Sequence, residues 1–205
     1  MKGYLRFPLV LIALLFAVGA LAVAAPQEIV QSTTDNVLAR VQAEKDQLRA
    51  DPAKMYNLVS ELIFPHFDFA IMSQWVLGDS WGTADEASRE AFVLQFRKLL
   101  VRTYATALLE FSDQSITYPA AEAPAAGATT ATVKQQISQP GSEVIPIVYR
   151  LHNKSGDWKV FDVSVDGVSL VKTYRASFGS VIQKDGLAGL IQSLDHKNQD
   201  IATAQ

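Results

Sequence analysis

Cysteine is absent from all 205 residues. That removes thiol nucleophiles, cysteine metal sites, redox motifs and disulfide staples together, so stability has to come from an ordinary hydrophobic core. Histidine is scarce. His66, His152 and His196 stand far apart, with no second histidine at helical or strand ligand spacing from any of them, so no metal site is expected. No glycine-rich phosphate loop occurs either, and Gly78, Gly82, Gly156 and Gly167 read as turn positions. The stretch Gly167-Val168-Ser169-Leu170-Val171 opens like a nucleophile elbow but lacks the closing glycine, which leaves Ser169 as an early helix residue. Basic residues do not cluster, so neither nucleic acid nor polybasic docking to a membrane is expected.

What the chain does have begins at its N-terminus. Lys2 and Arg6 give a positive start, an apolar run from Phe7 to Val18 follows, and Ala22-Val23-Ala24 supplies the small-x-small pattern that signal peptidase accepts. The run falls short of the ~20 apolar residues of a membrane span. Residues 1–24 are therefore read as a signal peptide cleaved before Ala25, with a retained anchor as the competing reading. Export from a bacterial cytoplasm into a periplasm suits a cysteine-free chain, and no lipobox cysteine follows to carry a lipid anchor. The remaining residues, 25–205, suffice for one core. Without Lys2 and Arg6, 16 basic residues face 21 acidic ones, an excess that favours solubility and says little about a ligand.

From Gln27 to Phe111 the apolar period is helical. Val30, Val37, Val41 and Leu48 share one stripe of a first helix. Asp51-Pro52 reads as an N-cap with a first-turn proline, and Met55, Leu58, Val59, Leu62 and Ile63 form the face of a second helix that Pro65 stops. Asp68 can cap a third, carrying Phe69, Met72, Trp75 and Val76 to Gly78. Thr83 and Glu86 have capping-box spacing, opening a long helix expected to reach Phe111.

After Ser112 the period becomes two. Ser115–Tyr118 is a candidate strand, Pro119–Ala128 an exposed loop, and Thr129–Gln139 a strand with Ala131, Val133 and Ile137 on one side. Glu143–Leu151 and Trp158–Val165 read as two strong strands around the turn 153–157, and Asp166-Gly167 ends the sheet. Helices from Val168 to about Lys184 and after Gly186 complete the chain. With Leu151 placed opposite Trp158, Ile145, Ile147, Tyr149, Leu151, Trp158 and Val160 share one face, while Val144, Val148, Phe161, Val163 and Val165 share the other. An antiparallel sheet with a wet face shows polar residues there. Both faces here read as apolar, so both need a cover: helices on one, and more helix or a hydrophobic ligand on the other.

Asp162 is the one acid inside an apolar strand. It could be a tuned catalytic base or a satisfied partner for a tyrosine, an arginine or backbone N–H groups. Arg102, Arg150 and Arg175 interrupt apolar stretches and could meet a carboxylate or phosphate, or simply snorkel. No catalytic constellation assembles.

Specific words of the chain resemble the MlaC / toluene-tolerance auxiliary family. They are Phe67-Asp68-Phe69, Val76-Leu77-Gly78 with Trp81, and Arg89-Glu90-Ala91-Phe92 with Phe96, Leu99, Leu100 and Tyr104. The second half adds Gly156 to Val163, Asp166 to Val171, Tyr174-Arg175 and the closing segment from Gly186 to Leu194. The resemblance implies a periplasmic phospholipid carrier moving glycerophospholipid between the two membranes of Gram-negative bacteria. It implies an α+β fold: a curved antiparallel sheet of about four strands, NTF2-like, packed with a mostly helical N-terminal half around an apolar cavity. The helical part would cover about 26–112, the sheet 113–166 and the C-terminal helices 167–198, as a single lipid-binding domain.

On that reading the cavity-lining candidates are Trp75, Val76, Phe92, Phe96, Leu100, Tyr104, Ile147, Tyr149, Phe161, Val163, Val168, Val171 and Tyr174. The implied partners are an inner-membrane ABC transporter with an MCE-domain protein and an outer-membrane lipoprotein–porin complex. No cofactor, metal or nucleic acid is implied. Each buried methylene is worth about 0.8 kcal/mol, so a ~16-carbon chain entering water costs roughly 12 kcal/mol. A carrier must return that energy through an apolar cavity and needs no acid, base or metal. The alternative is a small-molecule enzyme on a similar cone-shaped sheet, with Asp162 as base.

Overall fold

The computed structural model describes residues 25–199 apart from 113, 120–123, 126 and 155. The expected signal peptide and much of the 119–128 loop therefore lie outside the described residues. Among those described, no helix is long and apolar enough to cross a membrane.

Helices α1 (Pro26–Ala50), α2 (Pro52–Leu62), α3 (Phe69–Leu77), α4 (Asp79–Thr83) and α5 (Glu86–Leu109) precede the sheet. Their starts follow from local chemistry. Prolines open α1 and α2 where an N–H would lack a partner in any case. Asp51 accepts the Ala53 N–H at 2.9 Å and Asp68 accepts that of Ile71 at 2.9 Å, each satisfying an orphan donor. Gly78, at φ +56°, ends α3, and a Cβ there would come within 3.0 Å of the Arg175 guanidinium. The expected Thr83–Glu86 capping box does not form. Thr83 closes α4, and Asp85 caps α5 by accepting the Ser88 N–H at 2.7 Å. An aspartate one residue before the helix outcompetes a threonine that is still helical.

The sheet has five antiparallel strands in chain order, not about four: β1 (Ser115–Thr117), β2 (Thr130–Ser138), β3 (Ile145–Lys154), β4 (Asp157–Val165) and β5 (Val168–Ser169). The extra strand comes from Asp166-Gly167. Both residues have positive φ, +50° and +77°, which turns the chain tightly enough for Val168 to pair with Val165. Ser169 is therefore the N-cap of α6 (Leu170–Lys197) rather than a helical residue, accepting the Lys172 N–H at 3.2 Å. Gly186, at φ +72° and ψ 176°, breaks α6 where a second helix was expected to begin.

The register proposed from sequence is wrong, and the error matters. Trp158 lies opposite Asn153, not Leu151; Leu151 pairs with Val160, while Arg150 pairs with Asp162. Phe161 is the extra residue of a β-bulge. The bulge resets the alternation, so Val163 opposite Tyr149 and Val165 opposite Ile147 share the face of Leu151 and Val160. Ile147 and Val163 are thus on the same face, not on opposite ones. The other face carries Val148, Arg150, His152, Phe161, Asp162 and Ser164, a mixed set rather than an apolar one.

Three buried clusters result. Phe92, Phe96 and Phe178 centre one between α3, α5 and α6, with Phe161 joining it from the sheet. Val37, Val41, Leu58, Val59 and Val101 join α1, α2 and α5. Val30, Val133, Leu151, Trp158 and Val160 seal one end of the sheet's inner face against the start of α1.

Candidate functional site

Beside that seal, the inner face of the sheet does not close on α1, the end of α2 and the second half of α5. It leaves a pocket of about 440 Å³, within the ~300–1,000 Å³ range of small-molecule sites. Its wall comes from Ile29, Val30, Val37 and Leu38 of α1, Ile63, Phe64 and Phe67 after α2, Leu100, Val101, Tyr104 and Leu108 of α5, and Ile137, Ile147, Val163 and Val165 of the sheet. Among the described residues, no aspartate, glutamate, lysine or arginine lines it. Exposure marks its open end: Tyr104 is 37% exposed and Ile145 45%.

The polar cluster around Gln135 in the wall is fully occupied, whereas the buried Thr33 hydroxyl has no hydrogen-bond partner among the described residues. Gln135, buried on β2, donates from its amide to Thr34 Oγ1 at 3.2 Å and to the Tyr118 hydroxyl at 2.8 Å. Its carbonyl oxygen accepts from the Tyr149 hydroxyl at 2.9 Å. Burial pushes the Tyr149 phenol well above its usual range, and the neighbouring Tyr118 adds to the shift. Tyr104 is pushed up to about 12, chiefly by burial and then by Tyr174. Both stay protonated near neutral pH. His66 is shifted down by burial and by the charge of Lys159, against an opposing pull from Asp157.

Of the thirteen residues nominated from sequence, Leu100, Tyr104, Ile147, Tyr149 and Val163 line this pocket. Val76, Phe92, Phe96, Phe161, Val171 and Tyr174 lie instead in or against the aromatic cluster between α3, α5 and α6. Trp75 and Val168 are exposed. Sequence reasoning missed the wall that α1 supplies. Its signal was present, because Ile29, Val30, Thr33, Thr34, Val37 and Leu38 follow the helical i, i+4, i+8 rows. Gln135 was also missed; it falls in the same alternating row as Val133 and Ile137.

Asp162 is nearly buried and fully engaged. It accepts from the Ser169 hydroxyl at 2.7 Å and from the Val171 N–H at 3.2 Å, and Arg150 Nη1 lies 3.8 Å away. It ties the start of α6 to β4 on the face turned away from the pocket. Arg150 itself stacks over Phe161, 4.8 Å from the ring centre. His152 pairs with Asp68 at 3.0 Å on that same side. Among the described residues, no group of three or more histidines, aspartates and glutamates is placed to hold a metal ion.

Comparison with known proteins gives these features a context. The MlaC protein family matches residues 31–196. Toluene tolerance protein ttg2D of Pseudomonas putida is 31% identical over 179 residues, spanning 86% of this chain and 82% of that protein. The intermembrane phospholipid transport system binding protein MlaC of Haemophilus influenzae is 27% identical over 197 residues, spanning 94% and 91%. A phospholipid-binding protein from Ralstonia solanacearum, solved in complex with a phospholipid, superposes with a TM-score of 0.79 at 32% identity. That match covers 88% of this chain and all of the other. With four-fifths of its length inside the family match and a shared fold besides, the chain belongs to the MlaC family.

Proposed function

We propose that this protein is a periplasmic carrier that holds glycerophospholipid by its acyl chains in the pocket under α1, α2 and α5. It shuttles that lipid between the outer and inner membranes and so maintains the lipid asymmetry of the outer membrane. The observation that carries this reading is the wall: large, mostly apolar, without aspartate, glutamate, lysine or arginine among the described residues, and open at one end. A relative of the same fold was crystallised with a phospholipid. Chains inside such a wall stay out of water, while a charged headgroup remains at the open end, where ions are not desolvated. The partners on this reading are an inner-membrane ABC transporter with an MCE-domain protein and an outer-membrane lipoprotein–porin complex.

The enzyme alternative loses its proposed base. The Asp162 carboxylate is committed to the start of α6 and lies on the wrong face of the sheet to meet anything bound in the pocket. Native mass spectrometry of protein purified without added lipid, followed by lipid extraction, tests the carrier reading. Near-stoichiometric glycerophospholipid is expected, with a lower melting temperature after delipidation, since a ligand bound only to the native state stabilises it. A lipid-free native mass with no thermal shift on adding phospholipid overturns it.

A further inference from the structure

The paired rows of β2 and β3 step along the pocket from open to closed. Ile137 lies opposite Ile145, Gln135 opposite Ile147, Val133 opposite Tyr149 and Ala131 opposite Leu151. Ile145 is 45% exposed and Leu151 is 0% exposed. Tyr149 still lines the pocket, whereas Val133 and Leu151 do not. Gln135 therefore stands at the last row before the space closes. It is 2% exposed, and its bonds reach Tyr149 on β3, Tyr118 beyond β1 and Thr34 on α1 across the pocket. A polar rung thus joins the sheet to the helix inside a wall that is mostly apolar.

We propose that this Gln135 rung is a length gauge for the cargo: it stops an acyl chain entering from the Ile145 end on the β2–β3 side and so selects which lipids fit. The proposal rests on the phospholipid reading above. An apolar floor of leucines could part for a longer chain, because one apolar contact replaces another. Displacing Gln135 instead breaks its bonds to Thr34, Tyr118 and Tyr149 and leaves the buried Tyr149 hydroxyl without its acceptor, at a penalty of roughly tenfold or more, although Thr34 keeps its bond to the Val30 carbonyl. One further methylene gives back only about fourfold. On the β4 side no such rung intervenes, and the pocket continues to Val160 and Phe67.

The test is competitive loading from vesicles. Protein is equilibrated with vesicles mixing dilauroyl, dimyristoyl, dipalmitoyl and distearoyl phosphatidylethanolamine, and the lipid bound is identified by mass spectrometry. A methylene that fits costs nothing relative to the bilayer, whereas one left in water is disfavoured about fourfold. Wild-type uptake should be level up to a limiting length and then fall by about that factor per methylene. Gln135→Ala should move the limit to longer chains, raising the long-to-short uptake ratio about fourfold for each methylene newly admitted. Gln135→Asn, which keeps an amide but withdraws it by one methylene, should move it less and serves if the alanine variant does not fold. A length profile unchanged in both folded variants, or in the asparagine variant when it alone folds, overturns the gauge while leaving the carrier reading intact. Wild-type protein that takes up none of these lipids overturns the carrier reading, and the gauge with it.

Discussion

Behind β4, Phe92 and Phe96 are wholly buried, and Phe92, Phe96, Tyr174 and Phe178 meet ring to ring at 5.3–6.3 Å between centres. In front of it, Leu100, Ile147 and Val163 border open space of about 440 Å³. Both interiors are built from large apolar side chains carried on some of the same elements; α5 contributes to each. The difference lies in the partner available. Aromatic residues on α3, α5 and α6 reach one another across a helical layer, whereas the valines, threonines and isoleucines of α1 meet the sheet at Val30 and at the Thr34–Gln135 bond and leave space between them elsewhere. Interiors are normally close-packed, so an apolar space of this size is unstable unless something fills it. That pairing of a filled interior with an unfilled one is what a carrier needs: one holds the fold, the other holds the cargo.

The comparison breaks most visibly under charge. Placing a carboxylate at Phe96, which is 0% exposed, strands it with no water and no partner. Losing the ring alone costs about 3–5 kcal/mol, a large part of the ~5–15 kcal/mol that holds a domain together. Phe96→Asp should yield little folded protein. Ile147→Asp and Val163→Asp should both behave differently, because water can enter the emptied pocket and solvate the new charge. Each should give a native circular dichroism spectrum with no extractable lipid and no uptake from vesicles. If Val163→Asp unfolds while Ile147→Asp does not, the two residues do not share a face and the bulge register is wrong.

How much of this could be read beforehand depends on the range of the interaction. Caps and breaks at Asp51, Asp68, Gly78 and Gly186 are set by a few neighbouring residues and are legible as written. Asp85 and Thr83 compete for the same job, and only the helical state of Thr83 decides between them. The bulge at Phe161 is invisible to alternation, because a strand with apolar residues at 160, 161 and 163 fits either phase. Pairing with β3 settles which. The pocket is hidden for a deeper reason: an apolar stripe shows that a helix face is buried but not whether protein or empty space lies opposite. Phe92 and Leu100 sit on the same helix, yet only Leu100 borders the pocket, which is why nominations from α5 divided between the closed cluster and the pocket wall.

A gentler test separates the pocket from the sheet's outer face. Asp162→Asn should destabilise the protein by about 1–3 kcal/mol, because an amide nitrogen cannot accept the bond that one carboxylate oxygen accepted, and the remaining bonds lose their charge. The loss should appear as a lower denaturant midpoint with unchanged slope. Lipid content should be that of the wild type, since nothing at the pocket changes. A folded variant with normal stability and no lipid would mean that the two faces are not independent.

The smallest effect belongs to His66, which lines the pocket beside Phe67. Burial, and then the nearby Lys159 charge, hold its pKa below the usual value. A histidine depressed in the native state binds its proton more readily when unfolded, so stability rises with pH through this region. As pH falls through the unfolded value near 6.5, the wild type should lose stability until the native imidazole also protonates; below that point the loss levels off. His66→Asn removes this contribution, and its denaturant midpoint should depend less on pH between about 8 and 5. Filling the pocket withdraws more water from His66, so the excess slope of the wild type should be larger in lipid-loaded protein than in delipidated protein. Parallel pH profiles for variant and wild type would remove His66 from the pocket's electrostatics. An excess slope unchanged by lipid would place the cargo away from the wall that His66 shares.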